Sequence, residues 1–580
     1  MAYVKPLRSR SAGPSPRAQL DTLRGLRASF GFDAESMKFD LLRALIALRL
    51  RRAHDVAALH DELLFAAAFP DSARIRALAS DALETFVARV RRLTVAERRK
   101  LADSGIAGTV FTHSFMYGVA RWLVQHRERV TIDWRAMDDA EKLDPLLRLS
   151  LTPAEGDAFD SGDYTTAQWV ELASGVPRAR ALPWLVAGAP ERATTPAERS
   201  WRDLYDDADV QIAWDMAASP RSVSGNRAPV SRVVARRAFR AVPADVMARV
   251  VEPMRGIVRL SGANAVAWHD ACIAAIAARG REVSPTLYAN RDEIYVAPLG
   301  EGAQLCVLGV APEDRLALES NYGYVMFSNG VPVGYGGVTP LSAQANTGAN
   351  IFESFRHSEA AFLFTETLRA FRTLFGVTRF LVNPYQVGAD NDEALESGAY
   401  WFYHRLGFRP VKAHIAALAA REYGHITQYR GHRSSVTTLR RLASSDLVLE
   451  LPDAKGTALF DERWLVTVGG AVAKSLASHR AADRQGHVES VGRELCAALT
   501  GRRRALHADE RAGAALLVPV IALLQDEVVR WPSVDRAALW ELVRLKGRLR
   551  ERDFARASRA HTRWWGALRE FCRPREHSRG

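Results

Sequence analysis

The stretch Asn329 to Val411 gathers residue types able to hold an anion and move a proton. A strand-like piece, Asn350–Phe355, runs into the turn Arg356-His357-Ser358-Glu359-Ala360-Ala361 and then a helix reaching Phe375. N–H groups at a helix start lack intrahelical acceptors, and the helix dipole adds positive potential there. With Arg356 beside it, this turn is a candidate phosphate site. Ser358 suits the N-cap of the helix and Gly376 its C′ position. Next come a second strand, Arg379–Asn383, the polar loop Asn383 to Glu393, and the segment Glu396 to Phe408, ESGAYWFYHRLGF. Two readings of the polar loop stand: a border of a substrate site, or an elaborated turn.

Other chemistries are not signalled. The chain has no HExxH, Walker loop, G-x-S-x-G elbow or DxDxDG calcium loop. His425 and His432 lie seven residues apart, with Glu422 three before His425, but nothing nearby completes a ligand set. They read as surface side chains, and no metal is expected. Cys272, Cys306, Cys496 and Cys572 form no CxxC, so a reducing compartment is expected.

These residues need a sheet to hold them. Residues 283–338 supply short β-branched and aromatic segments, EIYVAPL, AQLCVLGV and YGYVMFS. Ser328-Asn329-Gly330 marks a hairpin, because Asn-Gly suits the left-handed turn positions. Antiparallel strands followed by a β-α-β-α unit make an α+β or α/β domain. The helix after the turn carries Phe362, Leu363, Leu368, Phe371 and Phe375 against polar Glu366, Arg369 and Arg372, so one side faces the sheet.

The order of these parts resembles the GNAT superfamily of N-acyltransferases. That family wraps the cofactor pyrophosphate in an Arg/Gln-x-x-Gly-x-Gly/Ala turn, and about forty residues later carries Asn-x-x-Ala-x-x-Leu/Phe-Tyr-x-x-Leu-Gly-Phe. The second pattern corresponds to Glu396, Ala399, Phe402, Tyr403, Leu406, Gly407 and Phe408. The resemblance covers roughly residues 230–435, with sharp matches from Gly330 to Phe408. It implies acetyl-CoA as co-substrate, bound by Phe355 to Ala361 and Glu396. It also implies Tyr403 as the acid protonating the departing thiolate, and a backbone amide of Ile351–Phe355 holding the thioester carbonyl. Glu353, on that strand, is the candidate base, with an exposed strand face as the plainer alternative. Two positions depart from the pattern: Glu359 stands for glycine and Glu396 for asparagine. Glu359 either crowds and repels the phosphate or complements the helix dipole as a first-turn acid.

The flanks read as mainly helical. Residues 1–216 form an N-terminal region with a disordered basic start, 217–231 a Ser/Pro/Gly linker, 232–440 the acyltransferase-like domain, and 441–580 a helical basic C-terminal region. Asp71 is placed to cap a helix carrying Ile75, Leu78 and Leu83, and Gly105 marks a turn between helices. The fold class is therefore α+β, a central mixed sheet with helices between helical flanks. The composition, 48% hydrophobic and 25% charged over 580 residues, excludes a disordered or fibrous chain. Net charge is +13, with Arg outnumbering Lys 71 to 8. The excess sits at the ends, +6 over residues 1–60 and +7 over residues 541–580, leaving the middle near neutral. Trp564, Trp565, Leu568 and Phe571 interleave with arginines, a pattern that serves either nucleic acid or helix docking. Docking is preferred because these residues share one stripe. The longest apolar run, Ala512–Leu524, is 13 residues, too short to span a bilayer, and a signal-peptide core is missing, so a cytoplasmic protein without membrane contact is expected. The sequence thus points to acyl transfer to an amine-bearing small molecule or protein. Its alternatives are a degenerate binding or scaffold domain and a nucleic-acid-associated protein.

Overall fold

The computed structural model describes residues 14–189, 195–217, 219–356, 358–454, 459–479 and 483–573. Among the described residues, twelve strands form two sheets. The small one contains β1 (Val110–Ser114), β2 (Val130–Ile132) and β3 (Gln211–Asp215), with β3 central. The large one contains β4 (Val258–Arg259), β5 (Ala289–Gly300), β6 (Ala303–Val310), β7 (Tyr322–Ser328), β8 (Val331–Leu341), β9 (Gln344–Ile351), β10 (Arg379–Val382), β11 (Arg409–Pro410) and β12 (Leu447–Glu450). Its order is β11-β12-β10-β9-β8-β7-β6-β5-β4, antiparallel throughout except for the parallel pair β9/β10. The helix Ala360–Phe375 is the crossover that makes this pair parallel. The protein is thus mixed α/β, with a large mixed sheet.

The hairpin at Asn329-Gly330 forms as its chemistry requires. Both residues take positive φ, +48° and +78°, and Ser328 pairs with Val331. The tip is buried: the Asn329 Nδ2 donates to the carbonyls of Ala68 at 2.9 Å and Val234 at 3.0 Å. The sheet is thereby tied to the end of the helix Ala53–Ala68. Phe65 and Phe69 of that region meet Phe355 at ring-centroid distances of 6.4 and 6.1 Å, and one hydrophobic core runs through the N-terminal helices and the sheet. The helical N-terminal region is therefore part of the sheet's own packing.

Several sequence expectations are corrected. Gly105 leads into β1 and not into a helix, and Phe111 lies in that strand. The mainly helical reading of residues 1–216 fails at its end, where the helix Pro196–Asp207 gives way to β3. Ser72, not Asp71, caps Ala73–Glu84, while Asp71 accepts from Lys38 Nζ at 2.8 Å. Of the expected linker 217–231, residues 219–231 are irregular but packed, with Ser222, Val223, Ser224 and Asn226 buried. The Val223 N–H donates to Gly105 O, and the Asn226 amide to Ala271 O. The region from 441 is not wholly helical: β12 inserts between β10 and β11 and completes the sheet. Beyond it, Trp564, Trp565 and Leu568 are buried and Trp565 meets Phe460, so this stripe docks internally. No helix among the described residues is long and apolar enough to cross a membrane.

Candidate functional site

The site begins where β9 leaves β10. The two strands pair only from Gln344 to Asn346, because β10 ends at Val382 and Pro384 turns the chain away. β9 continues to Ile351, held on its other side by β8. The Phe352 N–H donates to Val333 O at 3.1 Å, so by alternation the amides of Ala349 and Ile351 face the gap. Tyr403, on the helix Ala399–Arg405, places its hydroxyl there and accepts the Ala349 N–H at 2.9 Å. Phe364, Phe402 and Phe408 hold its ring, with centroids 5.6, 5.2 and 5.7 Å away. Burial pushes the phenol up to about 12 against the opposing pull of the Ala349 amide, so it keeps its proton at neutral pH.

Two cavities of about 720 Å³ each meet at this strand end. Tyr403, Phe402, Arg356, Ala360 and Ala361 line the first, with the exposed Arg405 and Arg433 contributing positive charge and Glu396 opposing it. Ala360 and Ala361 open their helix, so their N–H groups are available to an anion. Asp61, Arg279, Glu282, Tyr335 and Glu353 line the second cavity. Asn350, Ile351 and Gln386 border both. Across their junction Glu393 joins two guanidinium groups, Arg356 at 2.6 Å and Arg281 at 2.9 Å.

The second cavity is electrostatically mixed. Burial pushes Glu282 up to about 7, although it accepts the Met116 N–H at 2.9 Å, and Asp206 adds to the rise. Burial likewise raises Asp61, which accepts from Ser354 Oγ at 2.9 Å. His60 falls to about 3, first through burial and then through Arg279 and Arg227, and is neutral. Arg279 itself falls to about 9 through burial and the neighbouring Arg227, and its guanidinium lies 3.9 Å from the centroid of the Phe352 ring. Shifted carboxylates in a cleft are a recognised mark of acid–base chemistry.

Of the residues predicted for the cofactor turn, Arg356, Ala360 and Ala361 line the first cavity, as does Glu396. Phe355, Ser358 and Glu359 do not, and His357 lies outside the described residues. Phe355 is buried among Phe65 and Phe69. Ser358 is not the N-cap: its hydroxyl donates to Phe355 O, and Glu359 occupies that position without a side-chain cap bond. The Glu359 carboxylate pairs with Arg236 at 3.3 Å and accepts the Arg240 N–H at 3.2 Å. Its charge is therefore met by Arg236 and Arg240 and not by the N–H groups of the helix start. Glu353 is not on a strand, because β9 stops at Ile351 and Glu353–Phe355 form a 3₁₀ turn that carries Phe355 into the core. Glu353 remains exposed and lines the second cavity.

His60, Asp61, Arg279 and Glu282 were not among the predicted site residues. A signal existed for two of them: His60 and Asp61 interrupt the apolar helix Ala53–Ala68. Elsewhere, Glu422, His425 and His432 bring ligand atoms within 4.8 Å of one another on an exposed stretch, where Glu422 bonds His432 at 2.9 Å. No fourth side-chain donor joins them among the described residues. Comparison with known proteins finds no counterpart: no family model, no curated protein and no solved structure matches the chain.

Proposed function

We propose that this protein is a GNAT-type acyltransferase that transfers an acyl group, acetyl in the first instance, from a CoA thioester to an amine. The observation carrying this reading is the Tyr403 hydroxyl seated on the Ala349 amide, in the gap where β9 and β10 part and the two cavities meet. The residues present fit a CoA thioester. The helix start with Arg356 offers an anion site, the Ile351 N–H faces the gap, and a neutral phenol stands ready to donate. A bound thioester supplies the activated acyl carbon.

The Ile351 amide would hold the carbonyl oxygen as negative charge develops on it. Glu282, Asp61 or Glu353 would take a proton from the attacking amine, directly or through water, as the N–C bond forms. Tyr403 would give its proton to sulfur as the C–S bond breaks, and regain one from solvent. Positioning across the shared strand end would supply the remaining rate enhancement.

A second reading, binding without catalysis, draws on the Arg356–Glu393 pair, which already engages the guanidinium. Calorimetry with acetyl-CoA tests both. Micromolar binding weakened at least tenfold by Arg356→Ala is expected. Absence of binding by acetyl-CoA, longer acyl-CoA and free CoA would overturn acyl transfer.

A further inference from the structure

The second cavity shares Ile351 and Arg356 with the first, but most of its walls come from parts of the chain that have no role in gripping a thioester. One wall is the helix Ala53–Ala68, which contributes His60 and Asp61; another is the segment Arg279 to Val283; the third is the exposed end of β8 and β9. A chamber closed on three sides in this way suits a small molecule better than a segment of a folded protein. Its charges are divided. Asp61, Glu282, Glu353 and Glu393 are acidic, and Glu393 is already engaged by Arg281 and Arg356, which line the chamber too. Arg279 is basic, and among the described residues it makes no ion pair. Its Nη1 donates to Ala275 O at 2.7 Å and its face lies on Phe352, which leaves further N–H groups for a ligand. Behind it, Arg227 donates to Asn226 O and likewise makes no ion pair among the described residues. Because His60 is neutral, it adds nothing to either side of the balance.

The geometry points to a small molecule carrying both an amino group and a carboxylate as the occupant of this cavity, its carboxylate on Arg279 and its amine on Asp61 and Glu353. A guanidinium with spare donors matches a carboxylate in charge and in planar, bidentate shape. A doubly charged phosphate would face Asp61 and Glu353 with Arg279 as the one guanidinium not already paired among the described lining residues, so it is the poorer match. The amine would lie toward Glu353, at the end of β9, where the two cavities join. As an acceptor class this rests on the acyl-transfer reading; as a binding site it does not.

The test uses the full chain and matched probes: L-lysine against cadaverine, and L-phenylalanine against phenethylamine, which differ only in the carboxylate. Calorimetry without any thioester should show the carboxylate member of each pair binding at least tenfold tighter. Arg279→Gln should abolish that preference, and Arg279→Lys should retain part of it. Asp61→Asn should weaken both members, and circular dichroism of each variant checks folding. Equal or weaker binding of the carboxylate members, no binding of any probe, or an unchanged preference in folded Arg279→Gln would overturn the inference. Acetyl-CoA binding and CoA release, followed on the same protein, separate the two claims. Probe binding with Arg279 dependence but no acetyl-CoA binding would keep this site and remove acyl transfer. CoA release indifferent to the carboxylate would keep acyl transfer and remove this inference.

Discussion

A phenol held on a backbone amide, as Tyr403 is on Ala349, has its oxygen fixed and its proton free to be given away. Replacing it by phenylalanine removes the donor and leaves the aromatic packing intact. Tyr403→Phe should lower turnover by roughly 10²-fold while changing the acetyl-CoA Kd by less than about twofold, read from steady-state kinetics beside calorimetry. Of the three candidate bases, Glu282 is the one whose titration would fall near neutral pH. Its carboxyl is raised to about 7, so the ionised form that can accept a proton is lost as pH falls through that value. kcat/KM should decline below about pH 7, and Glu282→Gln should remove that limb. The linkage sign is the opposite for folding. A raised carboxyl favours the protonated native state, so its contribution to stability is fully present below about 4.5 and is lost as pH rises through about 7. Activity and stability therefore move in opposite directions across this window.

The start of the helix Ala360–Phe375 is governed by a contact that local sequence does not show. The Glu359 carboxylate and Arg236 are both about 1% exposed, and the two residues are 123 positions apart in the chain. Arg236 also donates from its backbone N–H to Pro70 O, so the pair fastens the helix start to the N-terminal region. Glu359→Gly would match the residue of the pyrophosphate turn it departs from, yet it strands a buried guanidinium. The expected outcome in urea unfolding is a loss of about 3–5 kcal/mol with no tightening of acetyl-CoA. On β9, the Tyr324 hydroxyl donates to Gly348 O, fixing the carbonyl next to the amide that Tyr403 uses. The strand end is thus held from both sides before any ligand arrives.

At the scale of the molecule, buried charge joins the C-terminal helices to the sheet. Lys546 pairs with Glu551, and Arg315 lies 3.9 Å from both Glu551 and Glu293, all four side chains being fully buried. Glu293, on β5, accepts the N–H groups of Glu551 and Arg552 at 2.8 and 2.7 Å, serving the first turn of the helix Glu551–Ala560 from across the chain. Lys546→Met removes one member and leaves uncompensated carboxylate behind. It should cost about 3–5 kcal/mol and speed proteolytic cleavage between 551 and 573, followed by urea melts and peptide mapping. The same docking takes up the aromatic residues of the basic end. Trp564 and Trp565 are 2% and 1% exposed, so their faces are spent on packing and cannot stack on bases.

By itself the sequence determined the elements whose signals are local. The Asn329-Gly330 hairpin, the strands β6 and β7, the helix ending at Gly376 and the segment around Tyr403 are set by turn chemistry, alternation and periodicity within a few residues. It also marked Arg356, Ala360 and Ala361 as neighbours, because one strand end and one helix start bring them together, while Glu396 was marked by the family resemblance alone. Tertiary structure alone decided the rest. Glu359 faces Arg236, Glu353 leaves the strand, β12 enters the sheet after residue 441, and Asp61, Arg279 and Glu282 converge on one chamber. Each depends on contacts between residues far apart in the chain, where burial and charge pairing outweigh local preference, and no short-range pattern encodes such partners.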